Sequence, residues 1–350
     1  MAKPLVSIVV NNFNYGRFLR QSIESALAQD HPRTEVIVVD DASTDGSVEI
    51  IRSFGDRIVP VCQERNGGQA AALNAGFAAS RGELIIFLDA DDYLYPHAAS
   101  AVAAAWTPGV GTVQYRLDLV DKGGQHIDLY PAREVGFDTG DVVPKLLETG
   151  RYEGTVTSGN AFARKSLCAV LPIPEEVFRI CADGYLITTA PFYGAVAAIE
   201  EPLGAYRLHG GNLWSGGPSL AARFRRAIGH DADKHRVLAE RAAALGLRAS
   251  GEPGLGDYQH IGVRLGSLCL EPERHPFASD TRIGLAWRGA RASWRARLPW
   301  KRRLVMAAWF LSVGVPPRRI ARHTLAWNLD ARSRPPRVDG FLKVLRRLTN

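Results

Sequence analysis

The chain has 350 residues, 46% of them apolar, which is enough for one large α/β domain with an appendage. Its four cysteines (Cys62, Cys168, Cys181, Cys269) are scattered without a Cys-x-x-Cys pair, which argues against a disulfide framework or a cysteine-based zinc site and suits a reducing cytosol. The net charge of +7 is unevenly held: residues 281–350 carry 17 Lys/Arg against Asp330 and Asp339, or +15, leaving −8 on the other 280 residues.

The N-terminus runs directly into a strand-like Leu5-Val6-Ser7-Ile8-Val9-Val10, so no signal peptide is expected. A helix carrying Phe18, Leu19, Ile23, Ala26 and Leu27 on one side follows, then a strand over 35–39 ending in Asp40-Asp41. Caps at 43–47 open a helix through Val48, Ile51 and Phe54, and Arg57 to Val61 reads as a third strand. An alanine-rich helix over 69–80 closes at Arg81-Gly82, where glycine would serve as a C-cap. Beyond the strand at 84–88, Val113 to Val120 reads as a strand entering a turn at 121–124. Residues 140–150 and 175–192 read as helical, 194–208 as two short strands around Glu200-Glu201-Pro202, and 216–248 as a helix before a Gly/Pro-rich break at 250–256. Alternating strands and helices predict an α/β fold with a mostly parallel, Rossmann-like sheet and flanking helices. The expected divisions are a catalytic domain over 1–215 (halves 1–110 and 111–215), a helical segment over 216–280 and a basic helical tail over 281–350.

The wholly apolar run Leu84 to Leu88 is the pattern of a strand buried on both faces, and it delivers Asp89, Asp91 and Asp92 to its carboxyl end. Ligands bind beyond such ends in open α/β sheets. A turn needs one Asx residue, not three carboxylates, and three lose hydration and repel one another unless a cation compensates them. A hard divalent ion carrying a phosphate-bearing substrate answers this. The strand over 35–39 also ends in acids, and the first ends in Asn11-Asn12-Phe13-Asn14. Asp40 and Asp41 have a plainer reading as caps of the next helix.

Five stretches together resemble family 2 glycosyltransferases of the GT-A fold. They are Ser7 to Tyr15, Val38 to Ser47, Asn66-Gly67-Gly68-Gln69 running to Asn74, Glu83 to Asp92, and Tyr206-Arg207-Leu208-His209-Gly210-Gly211-Asn212. They occur in the family's order over roughly residues 5–213; Asn11 departs from a proline common at its position. The resemblance implies that Asp89 and Asp91 form the Asp-x-Asp motif holding Mg²⁺ or Mn²⁺ against a sugar-nucleotide diphosphate, with Asp89 also able to touch the ribose. It implies that Asp40 accepts a hydrogen bond from the nucleobase, typically uracil, that Phe13 and Asn11 line the base pocket, and that the loop of Asn66 and Gly68 approaches the nucleotide. Arg207 and His209 share a strand face and would reach the diphosphate or metal; a structural hydrogen-bonding histidine is the competing reading.

An inverting transfer needs a base for the acceptor hydroxyl, and the family places one ahead of a downstream helix. Cys181-Ala182-Asp183-Gly184 fits, making Asp183 the catalytic candidate, although Ala182 departs from the second acid common there and Asp183 could also serve as a helix cap. His97, His126, His230, His235 and His260 have no such company and are expected at the surface.

In the basic tail the apolar run 304–315 would cover about 18 Å as a helix, short of the roughly 30 Å needed to span a bilayer. Tryptophan and arginine around it, with a second amphipathic stretch from Phe341 to Leu348, suit an interfacial anchor on an anionic membrane. Packing onto the catalytic domain is the alternative; nucleic acid is not an expected partner. The expected activity is metal-dependent, inverting transfer from a nucleotide-sugar, a UDP-sugar above others, to a glycan or lipid-linked acceptor, in the cytoplasm or at the inner face of its membrane. A sugar-1-phosphate nucleotidylyltransferase would carry a glycine-rich segment after the first strand, which Asn11 to Gly16 lacks. A non-catalytic nucleotide- or glycan-binding protein is the third alternative.

Overall fold

Four strands, Val6–Asn12 (β1), Thr34–Asp40 (β2), Val59–Cys62 (β3) and Leu84–Asp89 (β4), lie parallel in the order β3-β2-β1-β4. The computed structural model describes residues 3–211, 219–249, 254–296 and 298–329, so Asn212, the stretch 250–253 and the expected helix at Phe341 to Leu348 lie outside the described residues. Tyr93–Leu94 (β5), Val110–Asp121 (β6), His126–Tyr130 (β7), Asn160–Ala163 (β8) and Ala195–Leu208 (β9) complete one nine-stranded sheet. β8 enters antiparallel to β4 and β6, while β6 and β9 run parallel, so the sheet is mixed beyond β4. The α/β fold is the expected one, with parallel order concentrated in its first half.

The middle strands are buried because they are apolar on both faces. Leu84 to Leu88 of β4 and Val6, Ile8, Val9 and Val10 of β1 have no exposed surface, and each such side chain contributes about 1.5–3 kcal/mol on burial. The helices Gly16–Leu27 (α1), Ser47–Arg52 (α2), Gln69–Ala79 (α3) and Ala98–Ala105 (α4) connect and cover these strands. Val143–Thr149 (α5), Arg164–Val170 (α6) and Asp183–Thr189 (α7) are short.

Three expectations change. Gly82 is not a C-cap: α3 ends at Ala79, and a Cβ at Gly82 would lie 2.5 Å from Ser7 Oγ, so close strand approach explains this glycine. The helix expected over 175–192 begins only at Asp183, because Cys181 adopts φ 59° and interrupts any continuous helix. Residues 194–208 form one strand, with a bulge: Tyr115 pairs with Ile199 but Arg116 pairs with Pro202, leaving Glu200 and Glu201 out of register. Pro202 has no N–H to donate, and Glu200 turns to accept from Arg116 Nε at 2.9 Å.

The chain separates into two compact units: most of 3–211 forms the sheet unit, while 134–136, 145–151 and the described residues from 219 onward form a helical one. The helical unit contains Leu220–Ala244 (α8), Tyr258–Leu270 (α9), Arg282–Arg295 (α10), Trp300–Gly314 (α11) and Arg318–Leu329 (α12). Residues before and after 281 share its core, where Ile261 and Leu265 of α9 meet Leu285, Phe310, Val313 and Leu325. No helix among the described residues is long and apolar enough to cross a membrane.

The expectation of surface histidines fails in this unit. His260 is buried with Nδ1 2.7 Å from Asp231 Oδ2, and its ring meets that of His235 edge-on at 5.2 Å. Burial, then the charge of Lys234, pushes His230 down to about 4; burial, then the charge of His260, does the same to His235. Asp231 opposes both shifts without reversing them. The unfolded chain takes up protons near the ordinary 6.5 that the fold refuses, so stability complete above pH 6.5 is lost as pH falls toward 4. The expected loss is on the order of 1–3 kcal/mol per histidine. Denaturant melts followed by tryptophan emission, which the helical unit dominates, should shift downward over this window and shift less in His235→Gln. A pH-independent midpoint would remove the effect.

Candidate active site

Strand register brings the acidic ends together. Across the sheet Asn11 of β1 is opposite Asp89 of β4, and Asn12 is opposite Asp40 of β2. Each asparagine bonds to the acid beside it: Asn11 Nδ2 donates to Asp89 Oδ1 at 2.9 Å and Asn12 Nδ2 to Asp40 Oδ1 at 2.7 Å. The loops after β1 and β2 are clasped as well, since Asn14 Oδ1 accepts from Thr44 N–H at 2.7 Å and Asp45 Oδ2 from Gly16 N–H at 2.9 Å. Phe13 sits on this rim, 40% exposed, a ring open to a planar partner. Asp40 is buried, and its second oxygen accepts from Ser43 N–H.

Asp41 has a defined structural task. Its two oxygens accept from Gly67 N–H at 2.8 Å and Gly68 N–H at 2.7 Å, fixing the loop that starts α3. Gly68 has φ 87°, and a Cβ there would strike the Arg179 backbone carbonyl at 2.5 Å. Only glycine allows this approach, through which Gln69 N–H donates to Arg179 O at 2.8 Å. Asn66 joins the clasp by accepting from Arg179.

Gln69 is the residue that the sequence reading passed over. Its Nε2 donates to Asp89 Oδ1 at 2.9 Å, and its Oε1 accepts from Ala182 N–H at 2.9 Å. One amide therefore ties the acid at the end of β4 to the turn presenting Asp183. Its place in the Asn66-Gly67-Gly68-Gln69 stretch was the available signal. Asp183 is the first residue of α7, half-buried, with Oδ1 accepting from Gly184 N–H at 3.0 Å. Its charge is felt at Asp89.

The acids at the end of β4 differ in surroundings. Asp89 is pushed up to about 7, by burial first and then by the charges of Asp91 and Asp183, against the help of Asn11 and Gln69. Asp92 is buried and raised well above the usual carboxylate range by burial and by Asp91 and Asp89; it accepts from Ser158 Oγ at 2.6 Å and Arg207 N–H at 2.9 Å. These bonds make Asp92 a turn-shaping residue. Arg207 is buried beneath the turn: Nε donates to Asp91 O at 2.8 Å, one Nη to Gln21 Oε1 at 2.7 Å, and the guanidinium stacks on Phe18 at 4.7 Å. These protein partners differ from the nucleotide contact expected of it.

His209 lies 2.9 Å from Asp91 Oδ2 through Nε2. Its Nδ1 faces Arg17 Nη2 at 3.0 Å and Gly211 N–H at 3.2 Å, and both of these groups can only donate. The assigned tautomer is therefore Nε2–H, which donates to Asp91. In this tautomer His209 backs Asp91 as a hydrogen-bond donor; the ligand role expected from the sequence needs the other tautomer.

No three His, Cys, Asp or Glu side chains form a ready cage for a metal among the described residues. Magnesium-like ions need fewer, being held by one or two carboxylates and completed by substrate phosphates and water. A carboxylate raised by burial and then by neighbouring negative charge is what such an ion relieves, so Asp89 fits it, with Asp91 two residues on able to share the ion.

The glycosyl transferase family 2 model matches residues 7–160, which contain β1 to β4 and the Asp89–Asp92 turn. An uncharacterized glycosyltransferase of Nostoc sp. is 38% identical over 213 residues, 59% of this chain and 66% of that one. Residues 7–160 of the chain belong to glycosyl transferase family 2. The succinoglycan biosynthesis protein ExoO of Rhizobium meliloti is 29% identical over 217 residues, 60% of this chain and 62% of that one. The chain thus spans just under two thirds of the length of either relative. The fold is that of GT-A glycosyltransferases: the mannosyltransferase PcManGT from Pyrobaculum calidifontis, solved with GDP-Man and Mn²⁺, superposes with a TM-score of 0.53 at 18% identity, covering 99% of this chain and 85% of that one.

Proposed function

We propose that the chain transfers a sugar, with inversion, from a nucleoside-diphosphate donor to a hydroxyl of a glycan or lipid-linked acceptor. The observation that carries this reading is the Gln69 bridge, which couples Asp89 on the donor side to the loop of Asp183. A donor site and a candidate base are thereby held as one unit, as a transfer requires and simple binding does not. The family match over residues 7–160 and the succinoglycan-linked relative support the glycan chemistry.

In this reading Phe13 stacks on the nucleobase, Asn11 and Asp40 form the polar floor of its pocket, and the backbone at Asn66 and Gly68 borders the nucleotide. Asp91, with Asp89 beside it, holds Mg²⁺ or Mn²⁺, whose charge when bound offsets that on the departing diphosphate. His209 and Arg207 keep the Asp91 turn in place from below. Asp183 takes the proton of the acceptor hydroxyl as its oxygen bonds to the anomeric carbon and the bond from that carbon to the diphosphate oxygen breaks. The proton rests on Asp183 and the electron pair leaves with the nucleoside diphosphate.

Incubating the protein with UDP-, GDP- and dTDP-sugars and Mn²⁺ should release nucleoside diphosphate from one base class, with a UDP-sugar the first expectation, and chelation should stop it. Absence of both donor binding and release in the folded protein would end the transferase reading. Formation of nucleotide-sugar from a sugar phosphate and nucleoside triphosphate would replace it with nucleotidylyl transfer.

A further inference from the structure

Within the helical unit, α10 and α11 pack as an antiparallel pair: Gly289 abuts Phe310, Gly314 abuts Ala286, and Arg303 donates to Trp294 O. The two glycines allow the close approach, since a Cβ on either would stand 2.2 Å from its neighbour. Away from this seam each helix leaves an apolar stripe outside. On α10 it is Ile283, Trp287 and Trp294, spaced by four and seven residues, and on α11 it is Trp300 and Leu304, continued by Val315 just past its end. Trp287 is 63% and Trp300 64% exposed, far beyond what a buried core or a satellite contact leaves open.

Helical geometry puts both stripes on one side. At about 100° per residue each stripe lies roughly a quarter to a third of a turn beyond its own seam residues, in the same rotational sense. In an antiparallel pair equal rotations away from the seam lead to the same side, so the stripes join into one face. Arg291, Arg295 and Lys301 are exposed along its margin. Residues 281–329 contain 11 Lys/Arg and no Asp or Glu.

We propose that this α10–α11 face docks onto an anionic lipid surface, its tryptophans and aliphatic side chains entering the headgroup boundary and its cations meeting lipid phosphates. Charge selects this occupant. A second copy of the same face would oppose cation to cation in an isologous contact. Nucleic acid would satisfy the cations but leave the row of Ile, Leu and Trp without a partner. An anionic bilayer satisfies both, through apolar insertion and through cations each worth about 1 kcal/mol of attraction near such a surface.

The test uses the full chain and no sugar substrate, so it fails or succeeds independently of the transferase reading. The protein should co-float with phosphatidylcholine vesicles containing phosphatidylglycerol, less so at high salt, and with a blue shift in tryptophan emission. Replacing Trp287, Trp294 and Trp300 by Gln should cut partitioning about tenfold with the circular dichroism spectrum retained. Replacing Arg291, Arg295 and Lys301 by Gln should remove the preference for phosphatidylglycerol and the salt dependence; this variant leaves the apolar face intact should the first fold poorly. Wild type that floats no better with phosphatidylglycerol, or a folded tryptophan variant that floats as wild type does, overturns the proposal. So does a dimer that the tryptophan substitutions dissolve, or binding to duplex DNA in preference to vesicles.

Discussion

Replacing Asp183 with asparagine is expected to lower kcat about a thousandfold while leaving donor binding intact. Asparagine matches the carboxylate in shape, and its oxygen still accepts from Gly184 N–H, so α7 keeps its first turn. What it lacks is basicity. General-base assistance of this kind is worth about 10²–10⁴ in rate. The charge of Asp183 is also one reason that Asp89 resists ionisation, so removing it should leave donor and metal affinity unchanged or slightly raised. That direction separates a base from a merely structural residue: loss of the Gln69-linked loop would weaken donor binding together with turnover. Titration calorimetry with donor and Mn²⁺, beside steady-state rates, reads both quantities. Wild-type turnover in Asp183→Asn would place the base elsewhere.

The strand ends were legible because their chemistry is local. Five apolar residues followed by three acids can be read in one window, and so can Asn11 to Asn14 after β1. The partners that complete the site are not local. Gln69 reaches Thr157 and Ala182, 88 and 113 residues away, and Arg17 meets His209 across 192 residues. Ser158, which accepts from Asp89 N–H and donates to Asp92, lies in a stretch with no distinguishing pattern. Nothing in the spacing of Arg207 and His209 revealed that one would lie under the turn and the other would face two donors at Nδ1. The helical unit shows the same limit: His260 reads as a solvent-facing residue until Asp231 of α8 is placed against it. Bulges and left-handed residues were also hidden: Glu200 leaves the β6 register and accepts from Arg116, and Cys181 takes φ 59° beside the turn that Gln69 holds.

Asp91→Ala should abolish metal-stimulated turnover, a loss of about a thousandfold or more, because the carboxylate best placed to hold the cation is removed. The companion substitution His209→Gln distinguishes two roles at the same atom. If His209 supplied a lone pair to the metal, glutamine would be a poor substitute and Mn²⁺ affinity would fall nearly as far as in Asp91→Ala. With Nδ1 held as an acceptor by Arg17 and Gly211, the histidine instead donates Nε2–H to Asp91. A glutamine amide can donate there too, so His209→Gln should keep Mn²⁺ affinity and turnover within about tenfold of wild type. Its effect should also depend on Asp91: in the Asp91→Ala background, His209→Gln should cost nothing further, as expected of two groups acting through one contact. Mn²⁺ binding measured by electron paramagnetic resonance on the four proteins of this cycle reads the coupling without requiring a known acceptor. Additive losses from the two substitutions would show that His209 meets the metal by itself.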